Sequence, residues 1–359
     1  MTDHEAPVLV ERRGSLGVLT LNRPRAINAL THEMVILLQA ALDEWRDDPA
    51  IATVLLVGSG DRGLCAGGDI VSIYRDAVDG GRGSEQFWRD EYRLNAAIAA
   101  YPKPYVALMD GIVLGGGVGV SAHASHRVVT ERTRLGMPEV GIGFVPDVGG
   151  TWLLAKAPGE LGTLVALTGG HLDAADAIEL GMADHFVPSG DLEKLTELLE
   201  EVPADEAIAR VAGPRPVSGL LRKRAWVDEA FGHDSVERIV QALEQVNDAE
   251  AQKARAAIER SSPTSVVVTL RALRKAEHLG LGEALAQEYR IAVRMLRGHD
   301  FPEGIRAQVI DKDRNPQWQP SHLDQVTTAA VMHHFAPLGE DELVLRPNSH
   351  TSTNQGATS

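Results

Sequence analysis

Two carboxylates and two glycine loops are the residues of this chain best suited to chemistry. Glu139 and Asp147 stand eight positions apart in Met137–Gly150, a stretch with two prolines and four glycines. Such a stretch reads as a loop, so helical spacing cannot pair the acids and tertiary folding must. Val, Ile, Phe and Pro surround Glu139. Desolvation by such neighbours raises a carboxylate's pKa toward the range useful for acid–base work. Solvated loop acids are the plainer alternative, and the apolar neighbours count against it more for Glu139 than for Asp147. The loops are Cys65-Ala66-Gly67-Gly68-Asp69-Ile70, after the apolar run Thr53–Val57, and Gly115-Gly116-Gly117, after Tyr105–Met109. Glycine between strand and helix lets a ligand approach the backbone and leaves N–H groups outside any ladder. The second loop also opens a small-residue helix, with the positive end of its dipole behind those N–H groups. Two such loops on neighbouring strands could aim two donors at one oxygen, as an oxyanion hole requires, although plain turns would use the same glycines.

Other chemistries are poorly supported. The chain has no Gly-x-Ser-x-Gly elbow, no Walker A sequence and no Gly-x-Gly-x-x-Gly after a strand. His123 with His126, and His333 with His334, lack the ligand company of a zinc site. Cys65 has no histidine close in sequence to activate it and reads as a small buried residue.

The elements around these loops follow from periodicity. Val8–Glu11 and Gly17–Asn22 read as strands joined by a turn. Thr31 suits the N-cap of a helix running to about Asp47, with Met34, Ile36, Leu37, Leu38, Ala41, Leu42 and Trp45 on its buried side. A second helix spans roughly Glu85 to Ala100, and further strands fit Arg127–Thr130, Arg134–Met137 and His185–Val187. A strand, a glycine loop and a helix thus recur at Thr53 and at Tyr105, the pattern of a largely parallel sheet covered by helices. From about residue 190 the spacing becomes helical, in Ser235–Arg260, Thr264–His278 and Glu283–Arg297. Prolines 203, 214 and 216 mark the change. The expected division is a core over 1–205, a helical region over 206–345 packed on it, and a polar, disordered tail over 346–359.

Composition narrows the classes further. A formal net charge of −15 argues against a nucleic-acid surface, yet a few local basic residues can still hold an anionic ligand. A single cysteine excludes an internal disulfide and fits a reducing compartment. The acidic start Met-Thr-Asp-His-Glu resembles neither a secretory signal nor an Arg-rich transit peptide. No stretch reaches the roughly 18 uninterrupted apolar residues of a membrane span. The expectation is a cytoplasmic protein.

Several segments are more specific. Asn22–Leu30 (NRPRAINAL), the Ala66–Ile70 loop, Gly115–Gly117, Pro138-Glu139, and Thr168–Gly181 followed by Val187-Pro188 resemble the crotonase superfamily in order and spacing. Glu91–Asn95 (EYRLN), Gly115–Gly119 (GGGVG), Pro146–Gly150 (PDVGG) and Asp311–Trp318 (DKDRNPQW) are similar to its 3-hydroxyisobutyryl-CoA hydrolase branch. The likeness runs from about Val8 to Pro320.

The resemblance implies an α/β fold, a crotonase-like spiral of ββα units followed by a mainly helical C-terminal region. It implies hydrolysis of a short-chain 3-hydroxyacyl-CoA thioester, with the carbonyl held by the N–H groups of Gly68 and Gly116. Glu139 would be the main catalytic carboxylate, as base or as nucleophile, with Asp147 its partner. Glu91 would meet the substrate's hydroxyl end. Ala66 and Arg25 would lie toward coenzyme A, Arg25 near its phosphates, although an exposed loop arginine explains Arg25 equally well. Coenzyme A belongs to the substrate, no metal or redox cofactor is needed, and a homo-oligomer, often a trimer, is implied. Enoyl-CoA hydratases of this superfamily carry a second glutamate just after the glycine triplet, where this chain has Gly119. Losing that acid and gaining Asp147 favours hydrolysis over hydration. A hydratase or isomerase and a non-catalytic acyl-CoA-binding protein are the rival readings.

Overall fold

The computed structural model describes residues 6–345, so the expected tail over 346–359 lies outside the described residues. In chain order the strands are β1 (Val8–Arg13), β2 (Leu16–Leu21), β3 (Thr53–Gly58), β4 (Tyr105–Met109), β5 (Ile112–Leu114), β6 (His126–Val129), β7 (Arg134–Gly136), β8 (His171–Leu172) and β9 (His185–Phe186). Six of them form one sheet in the order β1-β2-β3-β4-β6-β9. Only the β1–β2 hairpin in it is antiparallel. The fully apolar runs of β3 and β4 are what a parallel strand buried on both faces needs. Val54 and Leu56 of β3 face the main core, while Leu55 faces a second, smaller cluster with Val106, Leu108 and Val128.

β5, β7 and β8 make a second, short sheet that the periodicity did not reveal. Gly111 turns the chain from β4 into β5 at φ +65°, and a Cβ there would lie 2.7 Å from the Arg62 carbonyl oxygen. Only glycine meets both conditions at little cost. The loop after β3 then runs beside β5, with Cys65 N–H donating to the Ile112 carbonyl (3.1 Å) and Leu114 N–H to the Cys65 carbonyl (2.9 Å). Because the two segments are parallel neighbours, their ends, Gly67-Gly68 and Gly115-Gly116, arrive at one edge together.

The helices that matter to the site are α1 (His32–Arg46), α2 (Ile70–Asp79), α3 (Gly83–Ala99), α4 (Gly116–Ser121) and α5 (Gly150–Ala155). Thr31 caps α1 as its sequence predicts, accepting from Met34 N–H at 3.3 Å. Ile36, expected on the buried side, is instead 49% exposed, and Val35 takes the inward position. The expected helix over Ser235–Arg260 is two, Val236–Gln245 and Ala249–Arg260, because the Asp248 side chain accepts from Glu250 N–H at 2.7 Å and starts a new helix. Two further helices, Pro263–Ala276 and Leu281–Leu296, complete the expected C-terminal pattern. Their buried faces join the same apolar cluster as β3 and α1. Among the described residues no helix is long and apolar enough to cross a membrane.

Candidate active site

α3 presents Glu91, Tyr92 and Asn95 toward the glycine loops, Glu91 and Asn95 being one helical turn apart. All three are buried. Glu139 begins a short 3-10 turn, Glu139–Ile142, that Pro138 enters and Gly143 leaves at φ +76°. Its carboxylate rests against Gly115, where a Cβ would stand 2.9 Å from Oε1. Asp147 follows on the way into α5.

These residues meet around a cavity of ≈ 240 Å³. Ala66, Gly68, Gly116, Glu91, Glu139 and Asp147 all line it, with Phe144 and Phe301 among the apolar walls. The Gly68 bridge to Leu30 uses the Gly67 carbonyl and the Asp69 N–H, so the Gly68 N–H takes no part in it. Gly116 is the first residue of α4, where no helical acceptor exists for its N–H. Among the described residues neither amide finds a hydrogen-bond acceptor. A Cβ on Gly116 would stand 3.4 Å from the Gly68 nitrogen, so the two loops face each other across a single gap.

The carboxylates are strongly perturbed. Burial raises Glu91 and Glu139 well above the usual range, and the Asp147 charge adds to both. Glu91 Oε1 and Glu139 Oε2 have no hydrogen-bond partner among the described residues. Asp147 is pushed by burial up to about 7, against the pull of the Tyr92 hydroxyl. That hydroxyl donates to Asp147 Oδ2 at 2.7 Å. Asp147 is therefore as buried as Glu139 (6% against 7% exposed), although its sequence neighbours offered less reason to expect it. The cover comes from α3 rather than from the loop itself.

Tyr92 and Glu288 have no part in the sequence reading of the site. Tyr92 stood within a recognised segment, and its place on the Glu91 face of α3 was the available signal. Glu288 had none, being distant in sequence from everything it touches. It is fully buried, accepts from Gly149 N–H (2.7 Å) and Thr151 N–H (2.9 Å), and is raised to about 8 by burial. Between Asp147 and Gly149, Val148 sits at φ +53°, a left-handed conformation rare for a β-branched residue. Such a residue costs about 1–3 kcal/mol and needs its surroundings to hold it. Burial lowers His123 to about 4, so its imidazole is neutral, and its Nε2–H donates to the Val148 carbonyl at 2.7 Å. Together with Glu288 it fixes the turn that presents Asp147.

Arg25 is not brought to this cavity. It lies exposed on the turn Pro24–Ala26, and its carbonyl accepts from Arg62 Nη1 at 3.4 Å. Ala66 lines the cavity, with its N–H donated to the Ile27 carbonyl at 2.9 Å. A second hollow of ≈ 430 Å³ adjoins across Ile73 and Phe87, between the starts of α1, α2 and α3. A larger hollow of ≈ 650 Å³ between α1 and α3, around Gln39, Asp43 and Arg93, contains none of the site residues.

The position just after the glycine triplet is sterically closed. A Cβ on Gly119 would fall 2.7 Å from Val148 Cβ and 2.9 Å from Asn95 Nδ2, so no longer side chain fits there.

Paired glycine loops and buried acids on a parallel-sheet scaffold describe a class, and sequence comparison supplies it: the chain belongs to the enoyl-CoA hydratase/isomerase family, whose profile matches residues 16–335. Over 353 residues it is 40% identical to the mitochondrial 3-hydroxyisobutyryl-CoA hydrolase of Homo sapiens, covering 95% of this chain and 92% of that relative. The protein of the same name from Gallus gallus is 40% identical over 355 residues, covering 96% and 92%. Among solved structures, a carnitinyl-CoA dehydratase from Mycobacterium thermoresistibile superposes with a TM-score of 0.92 at 48% identity, covering 95% of this chain and 99% of that one. An enoyl-CoA hydratase from Rhodobacter sphaeroides 2.4.1 gives 0.89 at 41% identity, covering 94% and 99%.

Proposed function

We propose that the protein hydrolyses 3-hydroxyisobutyryl-CoA to 3-hydroxyisobutyrate and coenzyme A, a step of valine breakdown. The names of its relatives divide between hydrolase and hydratase or dehydratase, so the site must decide. One observation carries the choice. Where a hydratase would place its second glutamate, Gly119 is walled in by Val148 and Asn95, and the second acid is Asp147, buried in the Glu139 cavity.

Attack on the thioester carbonyl puts negative charge on its oxygen, and the free N–H groups of Gly68 and Gly116 would stabilise that charge. The carbonyl carbon is attacked by a water whose proton Glu139 takes, or by Glu139 itself, with water then cleaving the anhydride. Either route consumes one water and releases the coenzyme A thiol, with no metal or redox cofactor. The raised proton affinity of Glu139 makes its ionised form a stronger base, and the Asp147 charge supports that affinity. Glu91 would receive the substrate's hydroxyl, and the hollow across Phe87 would take the pantetheine arm, with Ala66 beside it and Arg25 toward the phosphates. A homo-oligomer, a trimer among the possible assemblies, and a cytoplasmic setting suited to the lone buried thiol of Cys65 belong to the same proposal, although the human and chicken relatives are mitochondrial by name.

The test is Asp147→Asn. Asp147 must be ionised to act, and burial raises its pKa to about 7, so the charge is lost as pH falls through neutrality. The parent should therefore lose kcat/KM for coenzyme A release below about pH 7. Asp147→Asn should cut the plateau by about 10²-fold and move the limb to lower pH, because Glu139 must still be ionised but loses the Asp147 charge that helps raise it, with KM changed little because the N–H donors remain. A parental limb at the ordinary carboxylate position, or a variant with parental rate, would reject the role.

A further inference from the structure

The cavity that holds the acids is closed on its apolar side by three aromatic rings. Trp88 of α3 stacks on Phe144 with centroids 5.4 Å apart and planes at 16°. Phe144 stacks on Phe301 at 4.3 Å and 22°. Phe301 belongs to a short helix, Asp300–Ile305, in the C-terminal helical region, and ends the stack. All three side chains are buried and line the cavity.

This wall has little freedom to retreat. The Phe301 helix and the Glu139–Ile142 turn meet backbone to backbone, through glycine on each side. A Cβ on Gly304 would fall 2.3 Å from the Ile142 carbonyl oxygen, and one on Gly143 would fall 2.3 Å from the Asp300 carbonyl oxygen. The Asp300 carboxylate anchors the helix start, accepting from the Ser262 hydroxyl at 2.5 Å and from Gln319 N–H at 2.8 Å. The turn that carries Glu139 and the helix that carries Phe301 therefore form one rigid block. The distance from acid to aromatic wall is fixed by packing.

The cavity of ≈ 240 Å³ ends at this stack, so an acyl group that lengthens toward it meets the Phe301 ring. A longer straight chain would have to displace a ring that is packed on its other face.

We infer that Phe301 is a specificity-determining residue that sets the upper limit on acyl length, so that the C-terminal helical region measures the substrate while the glycine loops and acids act on it. This rests on the thioester hydrolysis proposed above. In pockets of this kind each methylene discriminates roughly 10–200-fold, so replacing one ring should move the limit visibly.

The experiment follows coenzyme A release from 3-hydroxyisobutyryl-CoA, butyryl-CoA, hexanoyl-CoA and octanoyl-CoA, for the parent, Phe301→Leu and Phe301→Ala. Acyl-CoA dissociation constants are measured alongside by calorimetry. The parent should lose kcat/KM steeply beyond the four-carbon substrates. The ratio of hexanoyl to 3-hydroxyisobutyryl turnover should rise at least tenfold in Phe301→Ala and less in Phe301→Leu, with a parallel shift in the ratio of dissociation constants. Equal losses on every substrate would show a structural role only and overturn the inference, as would an unchanged ratio in folded variants. If Phe301→Ala fails to fold, Phe301→Leu decides on the same ratio. If the parent releases no coenzyme A from any ester, the proposed reaction fails, and the chain-length order of the dissociation constants still decides for or against Phe301.

Discussion

Glu139→Gln should lower coenzyme A release by roughly 10²- to 10⁴-fold, the range that positioned acid–base groups supply, while leaving acyl-CoA binding nearly unchanged. The amide has the shape of the acid but can neither take a proton from water nor attack a carbonyl carbon. Binding should survive because the cavity walls and the free N–H groups of Gly68 and Gly116 are untouched. Removing the carboxyl should even ease the crowding of buried acids, since Asp147 and Glu288 both push the Glu139 pKa upward. The check pairs single-turnover coenzyme A release with calorimetric binding of the same ester. A variant that binds and still turns over within tenfold of the parent would remove Glu139 from the chemistry.

Gly116→Ala should be almost as damaging, by a different physical route. The added methyl would stand 2.6 Å from Glu91 Oε1 and 3.4 Å from the Gly68 nitrogen, inside the gap that the carbonyl oxygen must enter. Loss of one oxyanion donor costs about 2.7–4 kcal/mol in other acyl-transfer enzymes, a fall of roughly 10²- to 10³-fold in kcat. Gly68→Ala is the control, because its methyl would meet Phe87 Cε1 at an ordinary 3.5 Å and should cost far less. Equal effects from the two substitutions in kcat measurements would contradict the geometry assigned to the hole.

Much of this architecture was legible in the sequence because it is local. Apolar runs that end in glycine mark β3 and β4 and the loops after them, and Thr31 announces α1 by the residue type that its cap requires. What escaped is short or distant. β5 has three residues and β8 two, too few to show a period, yet β5 is the strand that aligns the two glycine loops. Ile36 misled because it sits beside inward-facing positions on an amphipathic helix whose exact rotation its neighbours leave open. The burial of Asp147 depends on Tyr92, 55 positions earlier, and its turn is braced by Glu288, 139 positions beyond Gly149. No local pattern reports such partners. The loop itself offered Glu139 and Asp147 as candidates and family resemblance added Glu91, but the closure of the Gly119 position by Val148 and Asn95 is a fact of packing.

The central claim is that this family member attacks the thioester carbonyl rather than the neighbouring carbon–carbon bond. The most direct measurement offers the purified protein 3-hydroxyisobutyryl-CoA and, separately, a short enoyl-CoA, following free thiol and enoyl absorbance in parallel. The account predicts thiol release from the hydroxyacyl ester, one coenzyme A for each hydroxy acid formed, and no hydration of the enoyl ester. Interconversion of hydroxyacyl-CoA and enoyl-CoA with the thioester intact, or binding of both without turnover, would contradict it.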